Sequence, residues 1–598
     1  MNILMALSQL EVTGAEVYAT TVGNELTARG HNVFYVSDTL TKPHDGPFFS
    51  LRFNKRSVPR RFWHVGYLIY LIKKHNIQLV HAHSRASSWS CHVACKLTGT
   101  PMVTTVHGRQ PVHASRKKFH AMGNKALPVC EAIRDQLAND LNVPLEQMEV
   151  SRNGIETERF QWCPSPANTK SSKAESVQAK PVITIVGRLT GPKGELCYRL
   201  LDECLDLEHY QVQVVSGSTF EPRFETFKDR VTFTGYTHDV PKMLSEADLV
   251  IGAGRVAMES LLCGRPTLAV GEAQCIGIVD STNVSQAMAS NFGDIGPNDL
   301  DIDFAAIPSM IEQGLSTPHC DEATSQIIRE HYTLTKVVDQ VERIYQDVYV
   351  DTLRREMPVI MYHRFISDDS GKGVHGTYLH IDMFEKHLKL LKRMGFDSLT
   401  FEDLQDGRLI RRLEAGKRYI MITVDDGYAD NLELMLPMLE KYGFKAVVYV
   451  VTGETFNRWD VENPNNPEKS VPLMNAQQVK QLAVSPHIEI GGHTLTHPKL
   501  DTLSDDAQRV EILENKQTLE ALLGKPLTSF AYPFGEHNQA SKTIAKEVGY
   551  QYAVATNSGS LRFHEDPYQI RRIAIFPRTD VLGLWRKVRG NYLFRKVK

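Results

Sequence analysis

Through the first 320 residues, short apolar runs alternate with segments of helical periodicity: NILMAL (2–7), HNVFYVS (31–37), IQLVHAH (77–83), PMVTTVH (101–107), then PVITIVG (181–187), YQVQVVSG (210–217) and DLVIGAG (248–254). A continuous apolar run followed by an amphipathic stretch predicts a strand buried on both faces, so this rhythm predicts parallel sheets covered by helices. The rhythm stops at CPSPANTKSSKAESVQAKP (163–181), which is Ser/Pro/Lys-rich and aperiodic, and then restarts. That interruption predicts a linker between two α/β domains. A helical pattern from about Glu322 to Leu353 closes the second domain, and PVIMYH (358–363) opens a third block. The third block contains the strand-like run Tyr419–Val424 and a polar, proline-rich stretch, NRWDVENPNNPEKSVP (457–472), expected to be a surface loop. The expected division is 1–165, a linker at 166–180, 181–353 and 354–598.

Composition narrows the class. A chain of 598 residues needs several cores, because single cores stop growing at about 250–300 residues. With 42% hydrophobic residues, 23% charged residues and a net charge of −2, it is neither a disordered tail nor a nucleic-acid binder. The nine cysteines include no zinc-type CxxC pair and stop at Cys320, which suits a reducing compartment. The N-terminal MNILMALSQLEVTGAE has no basic region, and the longest apolar run, VGYLIYLI (65–72), is far short of the roughly 20 residues that span a bilayer. A cytoplasmic location is expected. RFNKRSVPRRFW (52–63) and the C-terminal WRKVRGNYLFRKVK (585–598) each mix basic and aromatic residues. Either segment reads as solvated charge or as a seat on anionic lipid at the inner membrane face.

Candidate chemistry in the first half starts with anion recognition. A glycine turn between strand and helix turns backbone N–H groups and the helix dipole toward an anion. VTGAEVYATT, with Gly14, has that form, although helix capping alone would also account for it. VGRLTGPKG (186–194) sets Arg188 and Lys193 just after a buried strand, where they can clamp a diphosphate. Together with HAHS (81–84), TVHG (105–108), RNGIETERF (152–160) and GAGRVAMESLLCGRP (252–266), these segments resemble the glycosyltransferase family 4 pattern over about residues 1–350. The resemblance implies a GT-B fold of two Rossmann-like domains facing a cleft. It further implies a nucleotide-sugar donor whose diphosphate meets Arg188 and Lys193 and whose ribose is held by Glu259, with His107 near the transferred sugar. One position departs from the pattern: the glutamate the family often carries eight residues before the ribose-binding one is Ile251 here. Either GAGR (252–255) is used differently, or transfer is weakened.

In the third block, VDDG (424–427) ends a strand with two adjacent carboxylates, which repel each other unless a cation lies beside them. IEIGGHTLTHPKL (488–500) follows, a strand running into two histidines spaced i, i+4, and then AYPFGEHN (531–538). Two neutral imidazoles and a carboxylate suit Zn²⁺ or another divalent transition metal. The trio resembles the NodB-like polysaccharide deacetylases of carbohydrate esterase family 4 from about 357 to 577, which implies an irregular (β/α) barrel. By that resemblance Asp426, His493 and His497 bind the metal, Asp425 is the base, and the backbone N–H near Phe534 stabilises an oxyanion. His363, after the strand PVIMYH, is the candidate acid. The arginine that commonly orients the base is replaced by Ala531, and Arg572 or Arg571 of QIRRIAIF is the candidate substitute.

The sequence thus predicts a bifunctional enzyme. It would transfer an N-acetylhexosamine, GlcNAc from UDP-GlcNAc, to a lipid-linked saccharide such as lipopolysaccharide core, and remove the acetyl group by metal-dependent hydrolysis. The alternative is a deacetylase whose first half only binds glycan.

Overall fold

The computed structural model describes residues 1–8, 14–55, 57–113, 117–162, 180–217, 221–235, 239–296, 302–373, 375–413, 417–460, 471–556, 563 and 565–589. The chain divides into two compact units, Met1–Tyr345 and Gln346–Lys598. Most of the linker and of the 457–472 stretch, and the last nine residues, lie outside the described residues.

The first unit is built on two sheets, each six-stranded among the described residues. In the first, the order is Phe48–Ser50, Asn32–Ser37, Asn2–Ala6, Leu79–Ala82, Met102–Val106 and Lys125–Pro128, all parallel. In the second, Val231–Gly235, Gln211–Val215, Val182–Val186, Leu249–Gly252 and Thr267–Val270 run parallel, and Cys275–Ile278 closes the edge antiparallel. In both sheets the strand order reverses beside the strand that comes first in the chain, and ligands of open α/β sheets bind in the crevice at that reversal. This is the doubly wound pair of domains expected for a GT-B fold.

The pattern from Glu322 to Leu353 forms two helices rather than one, Glu322–Tyr332 and Leu334–Glu356. The break at Thr333 has a local cause. Ile155 donates its N–H to the Tyr332 carbonyl (2.8 Å) and accepts from the Leu334 N–H (2.9 Å), so a strand-like bridge replaces a helical turn. The second helix returns across the first sheet. Glu342 meets buried His31 (2.9 Å) and Arg29 (3.2 Å), and the Tyr345 hydroxyl lies 2.5 Å from His81 Nδ1.

In the second unit the order is Tyr552–Val554, Ser529–Ala531, Ile488–Gly492, Ala446–Val450, Arg418–Val424, Val359–Tyr362 and Ile573–Ala574, all parallel. A parallel bridge between Val554 and Ile570 joins the two ends, which closes the sheet into an irregular barrel. Ile360, Ile422, Val448, Ile490 and Phe530 pack with Leu388, Leu439, Val479 and Ile512 of the surrounding helices. Side chains alternate along a strand, so the intervening Thr423, Tyr449, Glu489 and Ser529 turn to the barrel axis. All four are buried, and the barrel interior is therefore polar.

Candidate functional site

Strand Arg418–Val424 delivers Asp425 and Asp426 to one rim of the barrel. The Asp425 N–H still donates to the Tyr362 carbonyl (3.0 Å), holding it in sheet register. At Asp426 the chain turns with φ +74°, and Gly427 continues at +76°. The turn sends the two carboxylates in different directions, which answers the repulsion that their adjacency poses.

Asp426 Oδ1 lies 3.2 Å from His493 Nε2 and 3.3 Å from His497 Nε2. Among the described residues these three form a buried group whose donor atoms all fall within 4.8 Å of one another. His493 Nδ1 is 2.8 Å from the Ala531 carbonyl, which can only accept, so Nδ1 carries a proton and Nε2 is the ring atom that faces Asp426. His497 Nδ1 is buried without a partner among the described residues. One carboxylate and two imidazole nitrogens converging in a buried pocket fit a divalent transition metal. Burial works to raise Asp426, but the two histidines outweigh it and hold the carboxyl well below its ordinary range.

The loop carrying the histidines is strained, with φ +63° at Thr494 and +61° at His497. Helix Asp505–Leu523 holds it there. Asn515 Nδ2 donates to the carbonyls of Val450 (2.9 Å) and Thr494 (2.7 Å), and its Oδ1 accepts the His493 N–H (3.1 Å). Glu511 accepts the N–H groups of Leu495 and Thr496, both at 2.9 Å. The sequence reading missed both supports. Their one sequence signal is polar residues at i, i+4 on a helix, a pattern that solvated helix faces share.

Asp425 is clamped by Arg572, and Arg571 is not its partner. The guanidinium is fully buried and bidentate, Nη1 to Oδ1 at 2.6 Å and Nη2 to Oδ2 at 2.7 Å. Its Nε donates to the Ala555 carbonyl (2.9 Å) and Nη1 also to Thr423 Oγ1 (3.1 Å), so the fork cannot swing. Burial alone would raise Asp425, and Arg572 reverses that, leaving it below the usual carboxylate range. Ala531, fully buried on strand Ser529–Ala531, leaves the role to an arginine entering from beside the last strand.

His363 follows strand Val359–Tyr362, next to the strand that carries Asp425, and is near enough for its charge to lower both aspartates. Its carbonyl accepts from buried Asn431 (2.9 Å). Phe534 has φ +57°, is 44% exposed, and sets its ring 4.7 Å from that of His497. The Trp459 ring lies 4.2 Å from His497. Gly535, at φ +76°, has no room for a side chain, since a Cβ would fall 2.1 Å from Thr556 Oγ1.

In the first unit, Arg188 and Lys193 line one cavity of about 190 Å³ with Gly187, Gly252, Val256 and Asp294. Arg188 is exposed, whereas Lys193 Nζ is paired with Asp294 Oδ2 at 2.9 Å. Glu259 is buried in helix Arg255–Leu262, where burial raises its carboxyl and Arg255 Nε donates to it at 2.6 Å. That helix starts at Gly254 with φ +55°, where a Cβ would lie 2.8 Å from Asp294 Oδ2. Ile251 is fully buried in strand Leu249–Gly252, opposite Ile185 and Leu268.

Gly14 opens helix Gly14–Ala28 with free space where a Cβ would stand, while residues 9–13 of that turn lie outside the described residues. One turn on, the Tyr18 ring is 5.1 Å from that of His107, and His107 Nε2 lies 3.4 Å from His83 Nδ1. Burial lowers His107 to about 4, so it is neutral at neutral pH.

Residues 12–159 match the family model "Glycosyltransferase Family 4", and residues 412–553 match "Polysaccharide deacetylase". YxkH of Bacillus subtilis, a polysaccharide deacetylase by name, is 26% identical over 222 residues, covering 37% of this chain and 72% of that protein. The UDP-Gal:alpha-D-GlcNAc-diphosphoundecaprenol alpha-1,3-galactosyltransferase of Escherichia coli is 26% identical over 317 residues, 48% of this chain and 79% of its own. A poly-beta-1,6-N-acetyl-D-glucosamine N-deacetylase of Staphylococcus aureus is 22% identical over 214 residues, 34% of this chain and 70% of its own.

Proposed function

We propose that this chain, a glycosyltransferase family 4-like half followed by a polysaccharide deacetylase domain, adds an N-acetylhexosamine to a lipid-linked saccharide and then removes its acetyl group. The observation that carries this reading is the Asp425–Arg572 clamp beside the convergent Asp426, His493 and His497. A carboxylate held ionised, oriented at both oxygens and set next to a metal-competent trio is equipped for amide hydrolysis. A divalent ion such as Zn²⁺, when bound by Asp426, His493 and His497, supplies a Lewis acid for activating water and polarising an acyl oxygen.

The chain's own residues do the rest. Asp425 accepts the proton of the attacking water at a carboxylate oxygen, and Arg572 keeps that oxygen in line. The backbone N–H near Phe534 supports charge developing on the acetyl oxygen. His363 returns a proton to the departing amine. Upstream, Arg188 and Lys193 receive the diphosphate of a UDP-sugar, Glu259 its ribose, and His107 and the turn at Gly14 lie toward the transferred sugar. GlcNAc is the donor sugar consistent with a deacetylase downstream, since transfer then supplies the acetamide that hydrolysis consumes. The E. coli relative's name supports a lipid-linked acceptor, of which lipopolysaccharide core is one class. Such a substrate places the enzyme at the cytoplasmic membrane face. No described helix is long and apolar enough to cross a membrane.

Purified full-length chain, given radiolabelled UDP-GlcNAc and lipid-linked acceptors, is expected to transfer label and release acetate. Chelation or Asp425→Asn should stop acetate release and leave transfer intact. Acetate release that survives both would sink the hydrolytic mechanism, and the absence of transfer and of donor hydrolysis would sink the bifunctional claim. A second reading, hydrolysis alone with the first half as a glycan-binding module, is favoured by one observation: Ile251 is a core residue where the family often carries a glutamate.

A further inference from the structure

Beyond the donor cavity, the first unit holds a second cavity, of about 470 Å³, whose lining is cationic and aromatic. Arg61 and His64 enter from helix Val58–Lys74, Arg85 and Trp89 from helix Arg85–Thr98, and Phe119 and His120 from the loop before strand Lys125–Pro128. The Arg61 guanidinium lies 4.9 Å from the centre of the Trp89 ring, and the Trp89 and Phe119 rings are 6.5 Å apart. Among the described residues, neither Arg61 nor Arg85 has a carboxylate partner. The carboxylate whose charge reaches His64 is Asp38, which is buried and holds the Asn54 N–H at 3.0 Å. Arginines gathered around a concave site without a paired carboxylate attract an anion, and two guanidinium forks match phosphate oxygens.

The helix that supplies Arg61 also carries an apolar face that is exposed among the described residues. Val58, Phe62 and Trp63 are 67%, 74% and 60% exposed. Trp63, Tyr67 and Tyr70 stack along the helix at 5.4 and 6.1 Å, and Lys74 Nζ lies 5.3 Å from the Tyr70 ring. Arg52, Lys55, Arg60 and Lys73 flank the same stretch. Exposed aromatics rimmed by basic residues match the headgroup layer of an anionic bilayer, where tryptophan and tyrosine settle and each Lys or Arg adds attraction.

We propose that this cavity binds the phosphate or diphosphate of a polyprenyl-type lipid acceptor, presented from an anionic membrane on which helix Val58–Lys74 lies. The proposal rests on the transfer reading above and gives its acceptor a seat. The helix lowers Phe62 and Trp63 into the headgroup layer, while Arg61 and Arg85 meet the lipid phosphate beside it. The aromatic walls formed by Trp89 and Phe119 are suited to the first sugar or isoprene unit.

The test is co-sedimentation of the full chain with three kinds of vesicle: phosphatidylcholine alone, phosphatidylcholine with phosphatidylglycerol, and phosphatidylcholine with a polyprenyl diphosphate at matched surface charge. The chain should prefer the third to the second and ignore the first. Arg61→Gln with Arg85→Gln should weaken polyprenyl-diphosphate binding about thirtyfold, given roughly a decade and a half for two lost cation contacts. The same pair should weaken phosphatidylglycerol binding by much less, because Arg52, Lys55, Arg60 and Lys73 remain to meet that surface. Phe62→Ser with Trp63→Ser should weaken both. Equal binding to the two anionic vesicles, or a preference that survives loss of both arginines, overturns the pocket. Inorganic pyrophosphate should compete only at high concentration; if it binds as tightly as the lipid, the ligand is a soluble anion and the lipid assignment falls. UDP-sugar hydrolysis by the wild-type chain reports separately on transfer, so a lipid preference without hydrolysis would fail the transfer reading and keep the pocket.

Discussion

The proposed hydrolytic centre and the proposed donor cavity handle charge in opposite ways. Around Asp425 and Asp426 each ionised group is buried and fastened at more than one atom: a bidentate arginine, a histidine fixed by a carbonyl, a loop held by Asn515. Around the donor cavity Arg188 is exposed and Lys193 is only 2.9 Å from an aspartate with which a ligand must compete. The backbone follows the same division. Asp426, His497 and Phe534 themselves carry positive φ, whereas near the donor cavity the strain sits in Asn291, whose carbonyl accepts the Gly254 N–H at 3.0 Å, and in Phe292 after it. Bond-breaking needs groups placed before the substrate arrives, because any reorganisation adds to the barrier. A flexible diphosphate can be gathered by side chains that rearrange around it.

Arg572 offers the sharpest way to break this contrast. Arg572→Met leaves a carboxylate buried without its partner, which should cost about 3–5 kcal/mol of stability in chemical denaturation. Acetate release should fall by about a thousandfold. Arg572→Lys separates charge from geometry: with a cation kept but the fork lost, kcat should drop about ten- to a hundredfold at nearly constant KM. Because Arg572 holds Asp425 below the usual carboxylate range, both variants should move the acidic limb of the rate profile to higher pH. An unshifted limb would show that Arg572 is structural only.

This arginine also marks where the sequence ceases to be legible. The strand rhythm is a local pattern that predicted parallel sheets, and VDDG and HTLTH carry the resemblance that implied the barrel and the trio Asp426, His493 and His497. Arg572 lies 147 residues from Asp425 in the chain, and nothing local distinguishes it from Arg571. What decides between them is which side chain faces the barrel interior just before Ile573–Ala574, a strand too short for its pattern to be read in advance. The break at Thr333 was hidden for a related reason: both flanking segments have helical periodicity, and the interruption comes from Ile155, which is remote in sequence. Asn515 and Glu511 show the same limit, since their role is fixed by the loop they face.

Glu489 extends the comparison to the barrel below the hydrolytic centre. Its carboxylate accepts from the Glu402 N–H (2.8 Å) and from Ser529 Oγ (3.1 Å), yet burial pushes it up to about 7 from an ordinary 4.5. A carboxyl raised by folding contributes stability that is fully present below its unfolded value and is lost as pH rises through the folded one. The wild-type barrel should therefore lose up to about 3 kcal/mol between roughly pH 4 and pH 8. Glu489→Gln keeps an acceptor for the Glu402 N–H and removes the titration, so its unfolding curve should lack that loss. If the two proteins lose stability in parallel across this range, Glu489 is not the group responsible.

The donor cavity should answer to smaller and more graded changes. Lys193→Ala removes one charge-assisted contact to the diphosphate and should raise the KM for UDP-sugar about tenfold, with kcat little altered. Asp294→Asn tests whether the ion pair restrains the lysine. If the Lys193–Asp294 pair must open for the donor to bind, weakening it should lower that KM by about two- to threefold, because part of the cost of opening is gone. If Asp294 instead holds Lys193 where the diphosphate needs it, the same substitution should raise KM. Gly254 gives Asp294 its room, since a Cβ there would lie 2.8 Å from Asp294 Oδ2. The direction of the Asp294→Asn effect therefore decides whether the donor cavity is an adaptable clamp or a preformed site like the one around Asp425.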